Sequence, residues 1–292
     1  MTATRSRGVL RWMPPSVAAY IYTVLLKPRP LRLLAHRIIC SMIPAEIDLR
    51  GVKIVLNQKD AIVSGNLVLG CYETSNLDIF ESLLEPGMCV LDIGANIGLY
   101  SAVAAKRVGP TGRVIAVEPS AENCVFIKRT AEKNSFNNIR LVQKAVGARS
   151  ESAFLYLCPT NKADHRIYDK SDARERVPVE IVPVDLMLED LGIAHVDVMK
   201  IDTQGAEPFV FDGMKQLLQR NRRLKVMIEF WPWGIRQAGR DPVEFLQTIK
   251  DYGFSVSEIH DDRRMTPLRD FTSILELNLE RQHTDLFLER SV

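Results

Sequence analysis

The stretch VLDIGANIGLYS, residues 90–101, places an acid and two glycines between two apolar runs. The first apolar run predicts a buried strand over Met88–Ile93, and the second predicts a helix over Ile97–Val108. Glycine tolerates positive φ angles and has no Cβ, so another group can lie close to its backbone. The stretch therefore predicts a strand, a tight turn that something approaches closely, and a helix.

Strands and helices continue to alternate after this unit. The predicted strands are Arg113–Glu118, Ile139–Val146, Val196–Asp202 and Leu224–Phe230, and a helix is predicted over Ser120–Asn134. This alternation is typical of a parallel sheet with helices on both faces. Before it, AEIDLRGVKIVLNQ predicts a β-hairpin that turns at Arg50–Gly51. After it, the runs FSVSEIH and TSILELNL predict a closing antiparallel pair.

The N-terminal region has a different composition from the rest of the chain. Seven arginines and lysines precede the first acid, Glu46, and the apolar run VAAYIYTVLL between them is too short to span a membrane. We expect residues 1–45 to form a basic helical extension packed on the main domain, with peripheral membrane contact as the alternative. Residues 46–292 are expected to form one α/β domain with its core at 70–260.

Composition and charge restrict the class of protein. The chain has 292 residues, of which 46% are hydrophobic and 25% charged, as in an ordinary globular protein. The net charge of +2 provides no overall basic field, which predicts no nucleic-acid partner. The five cysteines form no C-x-x-C pair, so neither a zinc site nor a disulfide framework is indicated, and a cytoplasmic location is expected.

Two acids end consecutive predicted strands, and together they indicate a ligand. The dinucleotide fingerprint would need glycines where Asn96 and Leu99 stand, and no P-loop sequence is present. A carboxylate at Asp92 would repel a phosphate and attract a cation. Glu118 suits acceptance of hydrogen bonds from two ribose hydroxyls. S-adenosylmethionine has both a ribose and a cationic end; the alternative is that Asp92 caps the next helix and Glu118 is a surface charge.

Four segments then make the sequence similar to a known family. VLDIGANIGLYS, VIAVEPSAEN, VQKAVG and MKIDTQGAEPFVFDGM resemble, in order and spacing, the FkbM family of S-adenosylmethionine-dependent methyltransferases. The resemblance runs from about Gly70 to Phe230. It implies a class I methyltransferase fold, which is a Rossmann-like, mostly parallel seven-stranded sheet with helices on both faces and an antiparallel last strand. It also implies methyl transfer to an oxygen, commonly a hydroxyl of a sugar or natural product.

The resemblance also implies which residues bind the cofactor. Those expected at its methionine end are Glu73, Asp92, Gly94, Asn96 and Gly98; those expected at the ribose are Glu118 and Pro119, and those beside the adenine are Ala145 and Val146. Lys144 departs from the acidic or polar residue that some methyltransferases place near the adenine amino group.

Three residues are candidates for catalysis. Asp202 and Glu229 end the fourth and fifth predicted strands, where a carboxylate can take the proton of a hydroxyl nucleophile. His165 lies in a polar stretch, residues 158–176, and is a candidate base because neutral imidazole accepts protons near pH 7. No metal is predicted, although Asp202 and Glu229 could together bind Mg²⁺. The competing interpretation is that Asp202 caps the backbone at a strand-to-helix turn. Glu207, which precedes Pro208, is expected at a helix start.

The predicted activity is O-methylation of a hydroxyl on a sugar, glycolipid or natural-product acceptor. The predicted partner is accordingly a small molecule or glycan. N-methylation on the same fold and a non-catalytic, cofactor-binding scaffold are the alternatives, because fold and cofactor do not fix the acceptor. The sequence predicts no oligomeric state.

Overall fold

The computed structural model describes residues 37–158, 161–168, 174–276 and 282–290. The described strands are β1 (Glu46–Leu49), β2 (Val52–Val55), β3 (Cys89–Ile93), β4 (Arg113–Val117), β5 (Ile139–Val142), β6 (Ala145–Val146), β7 (Glu151–Leu157), β8 (Glu175–Val182), β9 (Val198–Ile201), β10 (Lys225–Phe230), β11 (Phe254–Ile259), β12 (Met265–Pro267) and β13 (Thr284–Arg290). The described helices are α1 (Val63–Leu69), α2 (Thr74–Ser82), α3 (Leu99–Val108), α4 (Ala121–Lys133), α5 (Val184–Asp190), α6 (Glu207–Asp212), α7 (Lys215–Arg220), α8 (Pro232–Gln237), α9 (Pro242–Asp251) and α10 (Thr272–Leu275).

The main sheet has the order β12-β11-β13-β10-β9-β3-β4-β5. Strands β10, β9, β3, β4 and β5 are parallel, whereas β13 runs antiparallel to both of its neighbours. Without the short edge strand β12, this is the seven-stranded class I methyltransferase sheet, so the predicted fold class is confirmed. Chain order reverses at β3, which places β4 on one side and β9 on the other. A ligand crevice is expected there, beyond the carboxyl ends of these strands.

Both faces of the sheet are buried, which explains why its central strands are mostly apolar. In β3, Val90 contributes to one core cluster, while Leu91 and Ile93 contribute to the other. The first cluster includes residues of α2 and α3, and the second includes residues of α6 and α9. A parallel sheet covered on two sides holds its strand ends rigidly, so side chains at those ends are well positioned for a site.

The predicted hairpin is confirmed. Strands β1 and β2 pair in antiparallel fashion, and Arg50 (φ 57°) and Gly51 (φ 70°) form the turn with two left-handed residues, as a two-residue hairpin requires. The backbone N–H of Lys53 donates to Asn134 Oδ1 at 2.9 Å, which fixes the hairpin to the end of α4.

Two predicted strands differ from the structure. The run Ile139–Val146 divides into β5, in the main sheet, and β6, which pairs with β8 in a separate three-stranded sheet with β7. The start of TSILELNL is helix α10, because Asp270 Oδ1 accepts the backbone N–H of Thr272 and nucleates a turn. The antiparallel partners of β11 are instead β12 and β13.

The predicted N-terminal extension falls almost entirely outside the described residues. Residues 37–42 are helical, and the hairpin begins at Glu46. Within the described ranges, no helix combines the length and apolar character needed to cross a bilayer. The division of the chain at residue 45 stays a prediction.

Candidate cofactor and active site

A cavity opens at the carboxyl ends of β3, β4 and β9. It encloses about 900 Å³ of empty space, including its open mouth. The predicted cofactor residues that line it are Glu73, Asp92, Gly94, Asn96, Glu118, Pro119, Ala145 and Val146. Gly98 is the one predicted member that does not line it. The structure thus gathers these residues around one space, at the expected crevice of the sheet.

The two glycines of the first turn are required by packing within the protein. A Cβ on Gly94 would lie 1.8 Å from the backbone oxygen of Asp202, and Gly94 has φ +81°. Gly98, at the start of α3, has φ +86°, and its Cβ would lie 3.0 Å from the Ile127 side chain of α4. The group that approaches Gly94 closely is therefore the neighbouring strand end, and Gly98 serves helix packing.

Asp92 and Glu118 are both buried carboxylates, 1% and 5% exposed. Asp92 Oδ2 accepts a hydrogen bond from Ser101 Oγ at 2.5 Å, and burial raises its pKa to about 6. Glu118 accepts from the backbone N–H groups of Asn96 (2.9 Å) and Ser120 (2.8 Å), and burial raises its pKa to about 7. Glu118 is therefore not a surface charge.

These groups suit the two ends of S-adenosylmethionine. A buried carboxylate whose pKa is raised gains from a cationic ligand or from added hydroxyl donors, since both stabilise its charged form. Asn96, which also lines the cavity, has a buried Oδ1 with no hydrogen-bond partner among the described residues. Its backbone is left-handed, with φ 50°, a conformation that costs free energy and is often found at functional sites. The cavity thus presents two carboxylates to a ligand that has ribose hydroxyls and a positive charge.

Cofactor affinity is expected to fall at mildly acid pH. The pKa values of about 7 for Glu118 and about 6 for Asp92 lie above their ordinary values, so both carboxyls take up protons between pH 8 and pH 6. Only about a tenth of Glu118 is ionised at pH 6, so the dissociation constant should rise about tenfold or more between pH 8 and pH 6.

Calorimetry in buffers of different ionisation enthalpy checks this expectation, because binding near pH 6.5 should release protons. The same raised pKa values give the free protein an opposite dependence. Its folded state binds protons more tightly than its unfolded state, so these two groups stabilise it below pH 4 and lose that contribution as pH rises through 6 to 7. A pH-independent affinity would show that neither acid contacts the ligand.

Lys200 is the main residue of this site that sequence patterns missed. It lies on β9, is 3% exposed, lines the cavity, and places Nζ 3.4 Å from Asp202 Oδ2 and 4.9 Å from the centre of the Tyr100 ring. Burial alone would lower its pKa, but Asp202, Glu73 and Asp285 outweigh burial and raise it, so Lys200 is charged. The signal was the lysine within the buried-strand run VDVMKID, since a buried charge needs partners.

Asp202 and Glu229 lie side by side, joined through one amide. Gln204 Nε2 donates to Asp202 Oδ1 at 2.8 Å and to Glu229 Oε2 at 2.9 Å. Asp202 lines the cavity, whereas Glu229 lies behind Gln204 and does not. Burial, and then Asp202, raise the pKa of Glu229 well above its ordinary value. Asp202 is thus the acid that can reach a ligand, and Glu229 supports it.

The donor set between these two acids does not suit a metal ion. The Gln204 amide nitrogen directs its hydrogens at both carboxylates, and the Lys200 ammonium already supplies a positive charge beside Asp202. Within the parts of the chain that the structure covers, no three His, Cys, Asp or Glu side chains are grouped to hold a metal.

Glu207 fixes the loop that carries Gln204. It is fully buried at the start of α6, and its Oε1 accepts from Thr203 N (2.9 Å), Thr203 Oγ1 (3.0 Å) and Gly205 N (3.1 Å). These bonds hold Gln204 in a left-handed conformation, φ 56°. Glu207 lies at a helix start, as predicted, and its contacts set the position of the Gln204 amide.

His165 lies in the cavity wall, but its hydrogen bonding does not suit the predicted role of a base. Its Nδ1 accepts the backbone N–H of Cys158 at 3.1 Å, so that nitrogen is not available to take a proton. Burial, followed by the charge of Lys162, lowers its pKa to about 4. The geometry does not fit the base assignment.

Several proteins are similar to this chain in sequence or structure. Ribosomal RNA large subunit methyltransferase E of Nitratidesulfovibrio vulgaris (strain DP4) is 27% identical over 173 residues, which cover 58% of this chain and 80% of that protein. Methyltransferase sdnD of Sordaria araneosa is 27% identical over 222 residues, which cover 64% of this chain and 78% of that protein. The crystal structure of methyltransferase FkbM from Methylobacillus flagellatus KT is 13% identical, covering 90% of this chain and 60% of that one, with a TM-score of 0.43.

One of these relatives corrects the predicted partners. The expectation of no nucleic-acid partner is wrong as an exclusion, because it is contradicted by relatives named as ribosomal RNA methyltransferases. The net charge of +2 is a sum over all 292 residues. Such a sum does not report how charge is distributed around one site, so it could not exclude an RNA acceptor.

The family itself is settled by a domain match over the central part of the chain. Residues 92–256, from the first acid of the glycine turn into β11, match the methyltransferase FkbM domain. This range contains the two cavity acids Asp92 and Glu118, the loop at Asp202, and β10. The chain belongs to the FkbM family of methyltransferases and takes its methyl group from S-adenosylmethionine.

Proposed function

We propose that this methyltransferase acts on a hydroxyl oxygen of a sugar, glycolipid or natural-product acceptor, and that residues 46–292 form the catalytic domain. The observation that carries the proposal is the Asp202 carboxylate, which lines the cavity and is held by Lys200 on one oxygen and Gln204 on the other. The cofactor supplies an activated methyl group, so the chain's main task is to hold and align the nucleophile.

A carboxylate held in this way suits a hydroxyl nucleophile. A hydroxyl is a poor nucleophile until its proton is shared with a base, and general-base assistance typically contributes about 10²–10⁴-fold. Lys200 places a positive charge beside Asp202 Oδ2, while Gln204 fixes the direction of Oδ1. The remaining lone pairs of Asp202 can accept a hydrogen bond from the hydroxyl group that is to be methylated. Glu73 bounds the same part of the cavity and accepts from Tyr100 OH at 2.5 Å.

RNA is the second candidate acceptor. The alignment with one relative, which is named as a ribosomal RNA methyltransferase, covers 80% of that relative's length. This similarity supports testing RNA beside glycans. The fold and cofactor are shared by enzymes with many acceptors, so the acceptor has to be argued from the site and then measured.

The test is methyl transfer by the full chain from methyl-labelled S-adenosylmethionine. Sugars, glycolipids, hydroxylated natural products and ribosomal RNA are offered separately, and fragmentation mass spectrometry locates the methyl group. Label on a hydroxyl oxygen of a non-nucleic acid acceptor supports the proposal. Label found only on nitrogen, or only on RNA, would overturn it.

A further inference from the structure

A short segment, residues 161–168, covers one side of the cavity; we refer to it as the roof segment. Lys162 Nζ donates to Glu122 Oε2 on α4 at 3.1 Å, and Asn96 Nδ2 donates to the Lys162 backbone oxygen at 3.4 Å. At its other end, Tyr168 OH donates to the backbone oxygen of Gln204. The roof segment is thus fastened to the glycine turn, to α4 and to the Asp202 loop, so its inward side chains have defined positions.

His165 is the inward-facing imidazole of the roof segment, and its hydrogen bond defines its tautomer. Because Nδ1 accepts from Cys158 N–H, a neutral ring carries its proton on Nε2. The lowered pKa keeps the ring neutral at physiological pH. Nε2 has no hydrogen-bond partner among the residues that the structure describes, and His165 lines the cavity. The cavity therefore contains a fixed N–H donor that has no acceptor among the described residues.

The position of this donor is in the nucleoside half of the cavity. His165 bonds to Cys158, directly after β7, and Leu155 from β7 and Val146 from β6 line the same cavity. The methionine half is lined by Asp202 and Lys200, on the other side of the glycine turn. An N–H donor in an apolar wall suits a flat heterocycle with acceptor nitrogens in its ring.

We infer that His165 Nε2–H donates a hydrogen bond to a ring nitrogen of the adenine, and so makes His165 a determinant of nucleobase specificity. This role replaces the base role predicted for His165. It depends on cofactor placement in this cavity, and it is independent of which acceptor is methylated. A buried N–H that loses its acceptor incurs a desolvation cost, which is why a single such bond discriminates between ligands.

The test is a double-mutant cycle on binding, measured by calorimetry. Wild type and His165→Phe are titrated with S-adenosylhomocysteine and with its 1-deaza, 3-deaza and 7-deaza analogues, each of which replaces one ring nitrogen by C–H. We expect His165→Phe to weaken S-adenosylhomocysteine about tenfold. One analogue should bind the wild type more weakly than S-adenosylhomocysteine does, by a similar factor. The same analogue should bind His165→Phe with the same affinity as S-adenosylhomocysteine does.

Matched controls separate this bond from general damage. His195 is half-exposed and pairs with Asp197 away from the cavity, so His195→Phe should leave every affinity unchanged. His165→Asn provides the same cycle if the phenylalanine variant does not fold. The inference is overturned if all three analogues bind the wild type as tightly as S-adenosylhomocysteine does. It is also overturned if each analogue loses the same factor in affinity against the variant as against the wild type. Acceptor identity affects none of these readouts.

Discussion

Asp202→Asn is expected to lower kcat by about 10²–10³-fold, and by a larger factor than it lowers the affinity for S-adenosylmethionine. Asparagine retains the size of aspartate and can still accept from Gln204, so the loop geometry survives. It removes the negative charge that pairs with Lys200 and that can accept a hydroxyl proton. The loss should therefore fall mainly on the methyl-transfer step.

Steady-state kinetics with the acceptor that the methyl-transfer test identifies, and calorimetry with the cofactor, measure the two quantities. Asp190→Asn is the matched control, since Asp190 is exposed at the end of α5 and outside the cavity. Its kcat should equal that of the wild type. Full turnover by Asp202→Asn would remove Asp202 from the reaction, and an equal loss of cofactor affinity would make it a binding residue.

Gly94→Ala is expected to destabilise the fold by about 3 kcal/mol or more. A left-handed backbone costs an alanine about 1–2 kcal/mol, and forcing a side chain into a filled space typically costs a further 1–3 kcal/mol. Here the Cβ would lie 1.8 Å from the Asp202 backbone oxygen, which belongs to the adjacent strand end and has little freedom to move. Cofactor binding should be lost as well, because the displaced backbone forms the cavity wall.

Urea unfolding followed by circular dichroism measures the destabilisation. Gly192→Ala is a sharp control, because Gly192 also has a left-handed φ (+67°) but nothing lies within 4 Å of its would-be Cβ. It should lose only the backbone cost of about 1–2 kcal/mol. Equal losses in the two variants would show that the contact between Gly94 and Asp202 has no energetic weight.

Local patterns predicted the parts of this protein that depend on sequence neighbours. The acid and glycines between two apolar runs specify the strand–turn–helix unit at β3 and α3, and Arg50–Gly51 specifies the hairpin turn. Acids at strand ends were brought together as expected, because carboxyl ends of parallel strands share one edge of the sheet. Asp92, Glu118 and Asp202 accordingly line one cavity.

The remaining features depend on contacts between distant parts of the chain. The charge of Lys200 is balanced by Asp202 and by two acids from distant parts of the sequence, Glu73 and Asp285. The tautomer of His165 is set by the backbone of Cys158, which no periodicity reveals. The closing strand β13 pairs with both β10 and β11. Its place in the sheet therefore depends on pairing with two other strands rather than on its local propensity.

A crystal structure of the full chain with S-adenosylhomocysteine tests directly where the cofactor binds. We expect the ribose hydroxyls within hydrogen-bond distance of Glu118, and the amino-acid end of the ligand on the side of the glycine turn that holds Asp92 and Asp202. A ligand bound outside this cavity, or one with its adenine beside Asp202, would contradict it.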